Sequence, residues 1–433
     1  MLNARVGART QDNVRIIAVL LVLVAMVFLA IRVVIIYHFF LSYRANQAEA
    51  FSDFNLYYYA FNVVLHSPHD PSLLYDNNNL LVFLKAMGAD PSGFGILYCY
   101  PPQFALVFSP FGLMSPLAAK LAWVAMSLGL CIIGVILTAK MAYRGSERRI
   151  IALLIAIVLL SFPVLHDGYL GQSNELLFFL LATSFYLIER KHPYAAGSFL
   201  ALAVVFKVTP LAIVGLLLLR REWRAVVSTI VWAIALSLFT ATQLGFRVIW
   251  HYITVDVSRA NAQILTMGGL PGNSSVRGTL QTLSENLGMP ASESVLHATS
   301  TGFALIVCML ACYLVFRRSQ DRRMDYALAC ITMLLASPVL EPIHMVVALL
   351  PLVIVIGTAL EQLEARLSAI APRAELLLAA IAVLLLFFLE RSATYAASAF
   401  IIYVLCVARY FPRSTILPRD SRARLGNFNS HTP

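Results

Sequence analysis

An acid heads an aromatic run, Ser52-Asp53-Phe54-Asn55-Leu56-Tyr57-Tyr58-Tyr59, in a chain whose surroundings are almost all hydrocarbon. A carboxylate can take a proton from an attacking hydroxyl if it comes within about 2.6–3.2 Å of it. It can equally cap a helix, since Ser52 and Asp53 are both good N-cap types ahead of residues 54–64. Tyr57, Tyr58 and Tyr59 suit an interfacial aromatic belt, and suit stacking on a sugar ring as well. The second candidate is Lys207, in Lys207-Val208-Thr209-Pro210. A cation at that depth costs about 2.5–3.5 kcal/mol on insertion scales and calls for an anionic partner or a wet cavity. A lipid phosphate or a carboxylate would serve, and so would a purely structural ion pair.

Three further groups have the types for binding. Gly272-Asn273-Ser274-Ser275-Val276-Arg277-Gly278 combines small residues, which can expose backbone N–H groups to an anion, with Arg277, which can bond a phosphate bidentately. Loops are commonly rich in these residues, so the composition also fits a plain turn. Gly171-Gln172-Ser173-Asn174 follows His166 and Asp167, and its amides suit sugar hydroxyls or neighbouring helices. Glu341 and His344 share a short turn, where His344 can hold a phosphate, move a proton or be structural.

The elements that must position these residues are transmembrane helices. Of 433 residues, 60% are apolar and 12% charged, about half the charged fraction of a soluble protein. The apolar runs reach the ~20 residues that cross a bilayer. The net charge of +10 is explained by basic cytoplasmic loops rather than by nucleic acid. The six cysteines show no disulfide framework and no metal spacing, and Cys308 and Cys312 read as core packing. No metal or cofactor is expected.

Lys and Arg set the topology: N-terminus inside, and an uncleaved first helix at 16–41. Long external loops are expected at about 42–115 and 245–300. Spans are expected at 116–140, 150–165, 172–188, 225–244, 301–316, 325–338, 343–359, 374–389 and 393–410. Residues 193–219 are flanked on both sides by basic clusters and broken at Pro210, so they read as a re-entrant hairpin with Lys207 at its tip. The expected architecture is an all-α polytopic membrane protein: ten full spans plus the hairpin in one domain, 1–411. A disordered basic tail, 412–433, follows. Tyr100-Pro101-Pro102 and the apolar stretch 103–114 read as an interfacial or re-entrant helix.

Taken in order, four blocks resemble glycosyltransferase family 87: Asp53 with Tyr57–Tyr59; Tyr100-Pro101-Pro102 with Pro110; Gly171-Gln172-Ser173-Asn174 with Lys207 to Pro210; and Gly272-Asn273-Ser274-Ser275. The sequence departs from that family at Ser274, where Gln is usual, and at Glu341-Pro342-Ile343-His344, where relatives often carry a Trp or a His pair. The resemblance implies a GT-C fold, a polyprenyl-phosphate sugar donor, typically mannose, and inversion at the anomeric carbon. On that basis Asp53 is expected to be the general base. Lys207, Arg277 and His344 are the expected ligands of the donor phosphate. Tyr57, Tyr58, Gln172, Asn174 and Asn273 are the expected sugar or acceptor contacts. The implied partners are a lipid-linked donor, a lipid or glycan acceptor and membrane lipids. The implied location is a bacterial inner membrane with the site on its external face. Two rivals share these features: a lipid-linked sugar transporter or flippase, and a polymerase or ligase that uses a lipid diphosphate.

Overall fold

The computed structural model describes residues 52–67, 70–88, 98–145, 148–259, 262, 272–365, 370–388 and 392–411. The expected first helix at 16–41 and the tail 412–433 lie outside the described residues.

Seventeen α-helices occur, and no strand, among the described residues. They are α1 Ser52–His66, α2 Asn77–Ala86, α3 Pro102–Phe108, α4 Pro116–Ala142, α5 Arg148–Leu159, α6 Phe162–Leu170, α7 Asn174–Glu189 and α8 Pro193–Phe206. Then come α9 Leu211–Leu219, α10 Trp223–Leu244, α11 Phe246–His251, α12 Val276–Asn286, α13 Glu293–Arg318, α14 Arg322–Leu335, α15 Met345–Ala365, α16 Ile370–Phe388 and α17 Ser392–Ala408. Pro102, Pro116 and Pro193 each open a helix, where a missing N–H costs nothing.

Among the described residues, four helices are long and apolar enough to cross a membrane: α4, α10, α13 and the one running Pro342–Leu363. The pair α5–α6 adds a fifth if its 48° bend at residues 160–161 lies within one span. The chain is therefore a polytopic membrane protein. Helices α7, α14 and α17, with 16, 14 and 17 residues, fall short of the ~20 that a straight span needs.

Basic residues gather at one end of the bundle. Arg144 pairs with Glu189 at 3.3 Å. Arg323 pairs with Asp321 and Glu361, at 2.8 and 2.9 Å, and donates to the Ala142 carbonyl. Arg220 pairs with Asp325, which also accepts from Tyr410. These contacts tie the ends of α4, α7, α9 and α17 to the start of α14.

The 193–219 segment enters and leaves at this same end. The α8 residue Tyr194 accepts a bond from Ser228 of α10 through its carbonyl, so the two helices start side by side. Gly197 lies so close to α10 that a Cβ would stand 2.6 Å from the Ala225 carbonyl. Helix α9 then returns, so that Arg220 lies beside Asp325 at the basic end while Lys207 sits at the opposite end, with Ser337 and His344. The broken helix is a hairpin with Lys207 at its turn.

Helix α15 forms the centre, buried along Met345–Val355. Gly357 admits the close pass of α4, since a Cβ there would meet Ala142 at 2.7 Å. At the other end Trp123, fully buried, is ringed by Phe54, Tyr57, Phe61, Phe104, Phe108 and Phe111 at 5.0–6.2 Å. This aromatic block fixes α1 and α3 against α4. Cys308 and Cys312 are not core residues: Cys308 is half-buried and Cys312 exposed, on a face of α13 shared with Leu305, Met309 and Phe316. That face is the apolar surface a bilayer would cover.

Candidate active site

The turn between α6 and α7 organises the end opposite the basic one. Helix α6 stops at Gly171, whose φ of 69° is left-handed and costs glycine little. A Cβ at this position would also stand 2.8 Å from Cβ of Phe54. Gly171 therefore lets α1 close onto the turn and brings Asp53 beside it.

Gln172 connects four side chains. Its amide bonds the Asp53 carboxyl. Its Oε1 accepts from Tyr57 at 2.6 Å and lies 3.2 Å from the Tyr100 hydroxyl. Its carbonyl accepts from Trp123 at 3.3 Å. Burial pushes the Asp53 carboxyl above its ordinary value of 3.8, opposed by the Gln172 bond and by the charge of Lys120. A half-buried carboxyl with a raised proton affinity is a stronger base than a free one.

Two residues further along, Asn174 serves a second set of charges. It is 1% exposed. Its Nδ2 donates to Asp167 Oδ1 at 2.7 Å, and its Oδ1 accepts from Lys207 Nζ at 2.8 Å. Asp167, wholly buried, also accepts from the Glu175 N–H at 3.3 Å. A single turn thus holds Asp53 through Gln172 and Lys207 through Asn174.

The connection between α14 and α15 closes this end. Glu341 caps the short turn Pro342–His344, and its N–H donates to His344 Nδ1 at 3.0 Å. That bond makes Nδ1 an acceptor, which leaves Nε2 to carry the proton in the neutral ring. His344 lines a small cavity with Lys207, Asn174, Thr209 and Ser337. Burial raises the Glu341 carboxyl above its usual 4.5, the Asp53 charge raises it further, and Lys207 opposes both.

The loop at residues 272–278 has a different role from the one its composition suggests. The Ser274 N–H donates to the Leu340 carbonyl at 2.6 Å, and the Ser275 N–H to Asn273 Oδ1 at 3.0 Å. The Gly278 N–H goes to Ser275 Oγ at 3.1 Å, an N-cap of α12. Asn273 Oδ1 also accepts from the Leu340 N–H at 3.0 Å, and Ser275 Oγ donates to the Pro338 carbonyl at 2.7 Å. These N–H groups are engaged within the protein, so the loop is a clip that holds the 337–341 turn. Arg277, 3% exposed, has its guanidinium paired with Glu293.

Of the residues singled out in the sequence, Asp53, Tyr57 and Gln172 form one cluster, and Asn174, Lys207 and His344 adjoin it. Asn273 reaches His344 only through the turn it clips. Tyr58 turns elsewhere: its hydroxyl donates to the Met114 carbonyl at 2.8 Å. Tyr57 and Tyr59 are packed rather than displayed, at 1% and 3% exposure, so the tyrosine run is core more than belt. Among the described residues, no three His, Cys, Asp or Glu side chains are placed to hold a metal ion.

Two site residues escaped the sequence reading. Lys120, buried in the first turns of α4, donates to the Tyr169 carbonyl at 2.8 Å and acts on Asp53 by its charge. A lysine in an apolar helix was the available signal. Tyr100 was noted for its prolines, yet its hydroxyl also accepts from Ser173 Oγ at 3.2 Å.

The sequence profile of glycosyltransferase family 87 matches residues 98–338, more than half of the chain. The match takes in Tyr100, Gln172, Asn174, Lys207, Asn273 and Arg277, and leaves Asp53 and His344 outside. The chain is similar to a polyprenol-phosphate-mannose-dependent α-(1-2)-phosphatidylinositol mannoside mannosyltransferase of Mycobacterium tuberculosis, at 29% identity over 37% of this chain and 39% of that protein. A protein of the same description from Mycolicibacterium smegmatis is 26% identical over 44% of this chain and 45% of its own length. The chain thus spans less than half the length of these relatives. No solved structure matches it. An acid and a lysine held by one Gly-Gln-x-Asn turn, in a polytopic helical bundle matched over residues 98–338, place the chain in glycosyltransferase family 87.

Proposed function

We propose that the protein moves a hexose, mannose first, from a polyprenyl-phosphate sugar to a lipid or glycan acceptor, with inversion. The site lies on the external face of a bacterial inner membrane, because the basic end of the bundle is the cytoplasmic one by charge. Asp53 takes the proton of the acceptor hydroxyl as that oxygen attacks the anomeric carbon. The bond to the lipid phosphate breaks, and the phosphate leaves as an anion. Lys207 stabilises that anion, and the Nε2–H of His344 adds a second donor. Arg277 is a further candidate, and it would have to share its guanidinium with Glu293. Tyr57 and Gln172 orient Asp53, and Asn174 orients Lys207. Tyr58 and Asn273 remain candidates for sugar or acceptor contact, by way of the surfaces they help to shape.

One observation carries this reading. The Gln172–Asn174 turn holds the acid on one side and the lysine on the other, as a displacement needs a base and a leaving-group cation on either side of the reacting carbon. The two mannosyltransferase relatives support the choice of donor, and their phosphatidylinositol mannoside acceptor supports a glycolipid here.

The test is an account of the donor lipid. Purified protein in nanodiscs is given polyprenyl-phosphate mannose and a membrane-lipid extract, and the extracted lipids are resolved. A transferase releases free polyprenyl phosphate in step with a new mannosylated product. Lipid-linked mannose recovered intact, on the opposite leaflet of sealed vesicles, would make the protein a flippase instead.

A further inference from the structure

Beside the Asp53 cluster lies a cavity of about 440 Å³, within the size range of small-ligand sites. The first external region supplies Ser72, Tyr75, Asp76 and Asn77 to its lining, and the second supplies His251, Asp256 and Arg259. We propose that this cavity binds the acceptor's headgroup, a neutral hydroxyl-rich ring of the sugar or cyclitol class. The proposal rests on the transferase reading above and adds where the acceptor sits and what chemistry it presents.

Four observations support it. Asp256 is 5% exposed, yet its Oδ1 accepts no hydrogen bond among the described residues. Its Oδ2 is occupied, with His251 Nδ1 at 2.7 Å, and Arg259 stands 3.6 Å from Oδ1. A buried carboxylate oxygen short of a donor is costly, and a ligand hydroxyl would supply one.

The floor is aromatic and rigid. Tyr75 stacks on Tyr252, with centroids 5.5 Å apart, and its hydroxyl donates to the Tyr100 carbonyl at 3.0 Å. A fixed, half-buried ring offers an apolar face to the C–H side of a sugar while its polar edge is already satisfied.

The charge selects against phosphate. Among the described residues lining the cavity, Asp76 and Asp256 bring two carboxylates and Arg259 a guanidinium, which is close to Asp256. An anion would meet two carboxylates here, whereas a ligand hydroxyl can donate to Asp256 Oδ1; the Asp76 carboxylate already caps α2, accepting from the Asn78 and Asn79 N–H groups. The donor phosphate and the acceptor ring are thereby sorted to different places by charge.

The cavity is also joined to the reacting end. Tyr100 accepts from Tyr75 through its carbonyl, and its own hydroxyl lies 3.2 Å from Gln172, the amide that bonds Asp53. A ring resting on Tyr75 therefore extends toward Asp53 along a connected wall.

Asn77→Ala and Asp256→Asn test this in the full chain in nanodiscs. Asn77 is half-buried at the first position of α2, a site that tolerates alanine, so Asn77→Ala keeps the test open even if Asp256→Asn fails to fold. The expected result is a KM for a mannosylated glycolipid acceptor raised about tenfold, one hydrogen bond's worth, with the donor KM unchanged. Methyl α-mannoside and myo-inositol, followed by saturation-transfer NMR, should bind the wild type and be lost from Asn77→Ala, and inorganic phosphate should displace neither. Unchanged acceptor KM in a transferring enzyme, or displacement by phosphate, would overturn the acceptor site while leaving the transferase reading standing. Absence of transfer by the wild type would instead sink the transferase reading itself, and the acceptor role with it.

Discussion

Asn174→Ala removes the link between Asp167 and Lys207, and its consequences divide in two. The bond to Asp167, at 2.7 Å, and the bond from Lys207, at 2.8 Å, both involve a group that carries charge. Such bonds contribute about 1.5–3 kcal/mol each. The Asp167 share falls on folding, because Asp167 is wholly buried and, among the described residues, is left with the Glu175 N–H at 3.3 Å. A stability loss of about 1.5–3 kcal/mol follows. The Lys207 share falls on function. Freed from Asn174, the half-buried ammonium finds other partners and no longer aims at the leaving phosphate. Its share corresponds to a ten- to hundredfold loss in donor kcat/KM, about 1.4–2.8 kcal/mol. The assay is a double-mutant cycle of Asn174→Ala and Lys207→Ala on transfer from polyprenyl-phosphate mannose. If Asn174 acts through Lys207, the double variant is no slower than Lys207→Ala alone. Additive losses, or a donor kcat/KM within twofold of wild type for Asn174→Ala, would refute the reasoning.

Three more outcomes follow from the geometry. Because burial raises the Asp53 carboxyl above 3.8 and the base must be ionised, the acid limb of kcat/KM should lie above the ordinary value of an aspartate. Lys120 favours the ionised form, so Lys120→Met should move that limb to still higher pH, read from the pH–rate profile. Gly171→Ala places a Cβ 2.8 Å from Phe54 in a left-handed backbone; a lowered Tm and reduced kcat should appear together as α1 is pushed back with Asp53. Gly278→Ala sets a Cβ against the Asn273 carbonyl, so the 272–278 clip should lift from the 337–341 turn and limited proteolysis should cut there sooner.

The parts of this site that could be read from the chain are those whose partners lie close in sequence or whose cost in lipid is high. Lys207 announced itself by charge in an apolar run, and two basic clusters 30 residues apart implied the hairpin that brings both to one end. Gly171 marked a turn by its type. The loop at 272–278 misled because its composition suits an anion, while its true partner is the backbone of Pro338 and Leu340, more than 60 residues later. Nothing local in a sequence specifies such a pairing. Lys120 was hidden for the opposite reason: it sits in a helix that satisfies every requirement of a span, and only the tertiary approach of α1 gives it a role near Asp53. The tyrosine run held both meanings at once, and packing around Trp123 decided between them.

The central claim is that Asp53 is the base. Its replacement by Asn keeps an acceptor for the Gln172 amide and removes a carboxyl whose ionised form burial disfavours. The sign is clear: a carboxyl with a raised folded pKa loses stability as pH rises from its unfolded value through the folded one. At neutral pH, Asp53→Asn should therefore melt no lower than wild type. The measurement is label transfer from radiolabelled polyprenyl-phosphate mannose into glycolipid, with donor binding and Tm recorded on the same sample. The account predicts donor binding and Tm retained and transfer abolished in Asp53→Asn. Transfer at the wild-type rate by a folded Asp53→Asn protein would contradict it.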